Sequence, residues 1–126
     1  MKIIIDNNVL IYAAKEKIDL FKLIRDTYTD SEIIIPEEVL SEVNKLKEHG
    51  RKLKDRKAAS LILQILNKKH TRKIKMGDGS VDDLLIKEAV SRSAAVITSD
   101  KLLKQKLKKA GVKTIYLRNK RTIEED

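Results

Sequence analysis

The chain has 126 residues, no Cys, and 28 Lys and Arg against 19 Asp and Glu, a formal charge of +9. This length suits one domain with its own core. The missing Cys excludes disulfides, thiolate zinc sites and Cys nucleophiles together. The basic balance favours a polyanionic partner, although a lysine-rich surface is also what heat-adapted proteins carry.

Hydrophobic residues make up 41%, enough for a folded domain rather than disorder. The only aromatics are Tyr12, Phe21, Tyr28 and Tyr116, so Ile, Leu, Val and Ala must build the core. The opening Met1–Asp6 is charged too soon for a signal peptide, and no apolar run reaches a membrane-spanning length. A soluble, cytoplasmic protein with no membrane partner is the expectation. No linker or repeat divides the chain, so one domain over 1–126 is expected.

In chain order, an apolar run at Lys2–Ile5 reads as a strand, followed by helices over Asn8–Lys15 and Leu20–Tyr28. A second strand at Glu32–Ile35 leads into a helix over Glu37–Glu48, with Pro36 expected in its first turn. A helix over Leu53–Lys68 follows, and Gly77-Asp78-Gly79 marks a turn. That turn lacks the Lys-Ser/Thr of a phosphate loop. A helix over Val81–Arg92, a strand at Ala94–Thr98, a helix over Lys101–Ala110 and a strand at Lys113–Leu117 complete the set. Asp100 or Ser99 can cap the last helix and Gly111 can end it. The strands lack clean alternation, which suits a parallel sheet covered on both faces. The expected architecture is a three-layer α/β/α fold with a central parallel sheet of four to five strands.

In open sheets of this kind, ligands gather outside the carboxyl ends of the strands. Asp6 closes the first strand and Asp100 follows the third. Glu38 and Glu42 share a face of the helix after the second strand, and Asp82 and Asp83 open the helix after the glycine turn. Each has an ordinary explanation by itself. Asp100 can be a helix cap, Asp82 and Asp83 can complement a helix dipole, and Glu42 can be a solvated acid. Together they bring carboxylates toward one sheet edge, where repulsion is relieved by a cation. Oxygen-only donors select hard ions such as magnesium or manganese, and such ions can drive phosphodiester hydrolysis.

At these residues the chain resembles the PIN-domain family. Ile3-Ile4-Ile5-Asp6-Asn7-Asn8-Val9-Leu10-Ile11 is similar to the family's first motif. Ile33–Pro36 with Val39-Leu40-Ser41-Glu42 is similar to the second, Val81–Ala89 to the third, and Val96-Ile97-Thr98-Ser99-Asp100 to the fourth. The closing Val112–Arg118 adds to the likeness. The match spans nearly the whole chain, in order. It implies a metal-dependent endonuclease of single-stranded RNA, with Asp6, Glu42, Asp82 and Asp100 as the catalytic, metal-holding acids. It also implies magnesium or manganese as cofactor, 5′-phosphate products and a homodimer. The archaeal stand-alone branch, similar to VapC toxins and ribosomal-RNA processing nucleases, looks nearest. An antitoxin or a ribosome-assembly protein would then be a partner.

Two positions depart from the pattern. Asn7 stands where many relatives have Ser or Thr, and Asp83 where toxins often have Ala. Asp82 shares an inward stripe with Leu85, Ile86 and Ala89, whereas Asp83 falls with Lys87. Asp82 is therefore preferred as the site acid, with Asp83 as support. Asn8, Thr98 and Ser99 are expected to position carboxylates or a water. Lys45, Lys47, Arg51, Lys52, Lys54, Arg56 and Lys57 form a candidate RNA-binding wall, and Lys68, Lys69, Arg72, Lys73 and Lys75 a second basic run. His49 and His70 are isolated and do not suggest a catalytic pair.

Three rival functions weigh less. A receiver-like signalling domain wants a different set of strand-end residues. A haloacid-dehalogenase-type phosphatase needs an Asp where Asn8 stands. A catalytically inactive basic RNA-binding module leaves the acids unexplained.

Overall fold

The structure, a computed structural model, describes residues 1–69 and 71–126. It contains β1 (Lys2–Ile5), α1 (Asn7–Lys15), α2 (Leu20–Thr27), β2 (Glu32–Pro36), α3 (Glu37–His49) and α4 (Leu53–Lys68). The chain continues with β3 (Arg72–Ile74), α5 (Val81–Arg92), β4 (Ala95–Ile97), α6 (Lys101–Lys109), β5 (Thr114–Leu117) and β6 (Ile123–Glu125). The strands form one sheet in the order β3-β2-β1-β4-β5-β6. All neighbours pair in parallel except β5 and β6, which are antiparallel.

The alternation of side chains along a strand explains the three layers. Ile3, Ile5, Ile33, Ile35, Ile97 and Ile115 face α1, α2, α3 and α4, and meet Val9, Phe21, Ile24, Val39 and Ile62. Ile4, Ile34 and Val96 face the other way, toward Leu85 and Ala89 of α5 and Leu103 and Leu107 of α6. Both faces of β1 are thus fully covered, which is why its sequence is an unbroken apolar run. Truncating a side chain such as Ile4 to Ala would cost about 2–5 kcal/mol.

The central elements follow the sequence expectation, and the sheet edges differ from it. The sheet has six strands rather than four to five, because β3 and β6 add to its ends. Each is three residues long with one buried apolar residue, Ile74 or Ile123. Arg72 and Lys73 of the second basic run are therefore part of an edge strand, where exposed charge discourages pairing with another chain. Pro36 ends β2 in extended conformation, one residue before α3, instead of opening the helix. Gly111 follows α6 with φ +75, a conformation that favours Gly, and ends the helix as expected. Among the described residues no helix is long and apolar enough to cross a membrane.

Candidate active site

The strand order reverses at β1. From there the chain first builds outward through β2 and β3, then returns to place β4 on the opposite side of β1. The carboxyl ends of β1 and β4 therefore flank the topological switch point, where ligands of open α/β sheets bind. Asp6 follows β1 there, and Thr98, Ser99 and Asp100 follow β4.

Asp6 is buried. Its Oδ1 accepts from the Asn7 N–H at 2.8 Å and its Oδ2 from the Thr98 hydroxyl at 3.0 Å. Burial pushes its carboxyl above the usual range. The bonds from Thr98 and Asn7 oppose that rise, and the charges of Asp82 and Glu42 add to it. Asp82 and Glu42 thus act on Asp6 from helices on opposite faces of the sheet. Asp83 is absent from that set and is exposed, whereas Asp82 is half-buried.

Thr98 is the junction of the site. Its fully buried hydroxyl donates to Asp6 and accepts from the Asp100 N–H at 3.1 Å. Asn8 Oδ1 lies 3.4 Å from the same hydroxyl and accepts from the Ser99 N–H at 3.3 Å. Asp100 Oδ1 caps α6, accepting from the N–H groups of Leu102 at 2.9 Å and Leu103 at 3.2 Å. The capping role that the sequence allowed for Asp100 is thus real. Its other carboxylate oxygen makes no bond to another residue among those described.

Two contacts were not foreseen. Asn7 Nδ2 donates to Glu42 Oε2 and ties α1 to α3 beside Asp6. Glu38, one turn before Glu42, is engaged by the loop that precedes α5. Its carboxylate accepts from the N–H groups of Met76 and Gly77 at 3.1 Å. Burial works against its ionisation, but those N–H groups and Lys75 more than offset this, so its carboxyl sits below the usual range. The clamp holds the 75–80 loop, in which Gly77 and Gly79 take φ of +104 and +133. This loop carries the chain across the sheet edge, and Ser80 caps α5 by accepting from the Asp83 N–H at 3.3 Å. That route brings Asp82 within electrostatic reach of Asp6.

Among the described residues, no three acidic or His side chains converge closely enough to form a ready metal cage. The donor set nonetheless suits a hard divalent ion. A buried carboxylate, repelled by two others and bordered by a fourth acid, gains most from a cation with oxygen preference.

The candidate RNA wall is more dispersed. Lys45, Lys47, Arg51, Lys52, Lys54 and Lys57 are exposed around the α3–α4 turn. Arg56 is half-buried instead, donating to the Gly50 carbonyl at 2.6 Å and the Arg51 carbonyl at 3.3 Å. At about 1.5 Å per residue, Lys45 lies about one turn from Glu42, and the α3–α4 turn begins roughly 12 Å away. His49 is exposed at the end of α3, and His70 lies outside the described residues.

Comparison with known proteins points to the same fold. Residues 3–120 match the family model described as a PIN like domain. Among solved structures, the PIN domain endonuclease Utp24 is similar at TM-score 0.79 and 24% identity, over 99% of this chain and 90% of that one. A domain of a functionally unknown protein from Methanocaldococcus jannaschii DSM 2661 gives TM-score 0.66 and 22% identity, over 94% and 91%. A chain of VapBC2 from Rickettsia felis, bound to a DNA fragment from their promoter, gives TM-score 0.64 and 17% identity, over 83% and 92%. No curated protein sequence matches. With the motifs in order, the acids at the switch point and a family model spanning almost the full length, the chain belongs to the PIN-like domain family.

Proposed function

We propose that residues 1–126 form one PIN-like domain that cleaves RNA phosphodiester bonds as a divalent-metal-dependent endoribonuclease. The observation that carries this reading is Asp6, a buried carboxylate at the switch point, held by Thr98 and repelled by Asp82 and Glu42. A fold that spends stability to gather like charges at a ligand-binding edge is explained by function rather than by packing.

In this reading Asp6 and Asp100 are the principal ligands, and Glu42 and Asp82 complete the set. Magnesium or manganese bound there would supply an activated water and neutralise charge on the scissile phosphate. The surrounding residues hold the acids in place. Thr98 fixes Asp6 Oδ2, Asn7 orients Glu42, and Asn8 secures the backbone at Ser99. Glu38 acts at a distance by fixing the loop that delivers Asp82. Asp83 remains at the mouth as an exposed acid. Lys45 is near enough to Glu42 to meet a phosphate of the substrate. Lys47, Arg51, Lys52, Lys54 and Lys57 would hold the strand further out, without reading its sequence. Single-stranded or structured RNA is the substrate class. A second copy of the chain, an antitoxin or a ribosome-assembly protein are the partners consistent with the family.

The test is cleavage of end-labelled, mixed-sequence single-stranded RNA with manganese or magnesium, beside a chelator control. Asp6→Asn, Glu42→Gln, Asp82→Asn and Asp100→Asn should each lose activity while remaining folded. Products should carry 5′-phosphates. Cleavage that survives both chelator and Asp6→Asn would overturn the proposal.

A further inference from the structure

The nine residues of α6 include Lys101, Lys104, Lys106, Lys108 and Lys109, while Leu103 and Leu107 are buried beneath them. Asp100, Lys104 and Lys108 fall four residues apart, so they line one stripe. Lys104 and Lys108 stand about 6 and 12 Å along the helix from Asp100. The basic stripe thus begins at the candidate site.

Part of this stripe is covered by the chain's own acids. Asp126 pairs with Lys108 at 2.9 Å and Lys104 at 3.4 Å. Glu124 pairs with Arg118 at 2.6 Å and accepts from the Tyr116 hydroxyl at 3.1 Å. Lys104 also sits 4.8 Å from the centre of the Tyr116 ring. Strand alternation explains the grouping. Glu124 and Asp126 point to the α6 side, while Glu125 points away and meets Tyr28 and Lys113. Because β5 and β6 are antiparallel with Leu117 opposite Ile123, the Arg118–Glu124 pair lies at the same sheet edge as Asp6 and Asp100.

The Arg118–Glu124 and Lys108–Asp126 pairs contribute little to holding β6 in place, while Lys104 is more covered, its side chain 19% exposed between Asp126 and the Tyr116 ring. Arg118 and Glu124 side chains are 63% and 38% exposed, and Lys108 and Asp126 are 48% and 32% exposed. Pairs this open are screened by solvent and salt. The strand is anchored by buried Ile123 and by backbone bonds to β5. Its carboxylates can therefore give way to other anions without loss of the strand.

We propose that Lys104, Lys108 and Arg118 form a phosphate-binding track for single-stranded RNA, which Glu124 and Asp126 occupy in the absence of nucleic acid. The β6 carboxylates then act as an internal competitor of the RNA strand leaving the site. The identity of the polyanion rests on the nuclease reading above. The masked track itself rests on the ion pairs.

The test compares binding of a fluorescent oligouridylate, with chelator present to prevent cutting, across roughly 50–200 mM salt. The variant Glu124→Gln/Asp126→Asn frees three cations and keeps Ile123. The control Asp26→Asn/Glu88→Gln makes the same change in net charge by breaking pairs with Lys22 and Arg92. Each cation gained by single-stranded nucleic acid steepens the salt dependence by about 0.7. The β6 variant should therefore bind tighter, with a slope steeper by about 2, so that its advantage falls roughly 16-fold over this salt range. The control should keep the wild-type slope. Adding Lys104→Ala/Lys108→Ala to the β6 variant should remove most of the gain.

Equal affinity and slope in β6 variant and control would overturn the track. If wild type still cuts RNA in an Asp6-dependent manner, the nuclease reading survives that result. A gain for polyglutamate but not for RNA would also overturn the proposal, and would assign the surface to an acidic polypeptide. Failure of every form to bind RNA would remove the track and its ligand together. Circular dichroism melts of each variant exclude unfolding as the cause.

Discussion

Replacing Thr98 by Val tests the junction of the site with almost no change in shape. The Thr98 side chain is 0% exposed. Its hydroxyl donates to Asp6 Oδ2 at 3.0 Å and accepts from the Asp100 N–H at 3.1 Å. A hydrogen bond to a charged group contributes about 1.5–3 kcal/mol, and a donor left partly unpaired costs about 1 more. The methyl group introduced with Val returns about 0.5–1 kcal/mol through apolar burial. The net loss is about 2–3 kcal/mol. A chain of this length loses about 3–5 °C per kcal/mol, so the melting temperature should fall roughly 6–15 °C. Thr98→Ser keeps the hydroxyl and loses one methyl, costing about 1 kcal/mol. The two variants should also differ in function. In the Thr98→Val variant the Asp6 carboxyl loses a bond that holds it down, so it is driven further above its ordinary value. The acid limb of the cleavage profile should move to higher pH for Thr98→Val and stay in place for Thr98→Ser. Urea unfolding and pH–rate profiles of both variants are the assays. A Thr98→Val protein as stable as Thr98→Ser, with the same profile, would show that the Thr98 hydroxyl does not hold the Asp6 carboxylate.

Three further outcomes are expected. Asp82→Asn should abolish cleavage, whereas Asp83→Asn should leave the rate within a few-fold, since the half-buried Asp82 carries charge that acts on Asp6 and Asp83 is exposed to solvent; equal losses in a rate assay would count against the assignment. Glu38→Gln should cost about 1–2 kcal/mol at neutral pH by weakening the bonds to Met76 and Gly77. Because the Glu38 carboxyl is held below its ordinary value of 4.5, its contribution is present above that pH and is lost as pH falls through the lowered value. The gap between wild type and Glu38→Gln in chemical unfolding should therefore close in acid. Asp6 has the opposite sign. Its carboxyl is raised from 3.8, so the metal-free fold loses stability as pH rises through the window above that value. Asp6→Asn should melt higher than wild type at neutral pH in chelator; a lower melting temperature would show that burial of this charge is not costly.

The central fold was legible because its signals are local. The run Ile3-Ile4-Ile5 is apolar on both sides, and only a strand covered by helices on both faces needs that. Val81–Arg92 announced itself through the glycine turn before it, the acids of its first turn and the inward spacing of Leu85 and Ala89. The strand-end acids stood out because Asp6 interrupts an apolar stretch. The edges were less legible. β3 and β6 each carry a single buried apolar residue, too few for any periodicity, and they are strands because a neighbour lies alongside. Contacts over long sequence separations were equally hidden. The Asn7–Glu42 tie spans 35 positions, and the Glu38 clamp reaches the 76–77 backbone. The shared helix face of Glu38 and Glu42 suggested a common role, whereas the fold divides them between loop and site. Arg56 looked like one more surface cation, and its inward turn depends on carbonyls released where α3 ends.

In the proposed function, the carboxylates at the β1–β4 switch point form a divalent-metal centre. Manganese titration of intact protein by calorimetry tests this without knowledge of the RNA. Wild type should bind manganese and gain thermal stability from it. Asp6→Asn should remain folded and bind at least about tenfold more weakly. A folded wild-type protein that takes up no manganese and whose melting temperature is unmoved by it would show that these carboxylates hold no divalent ion.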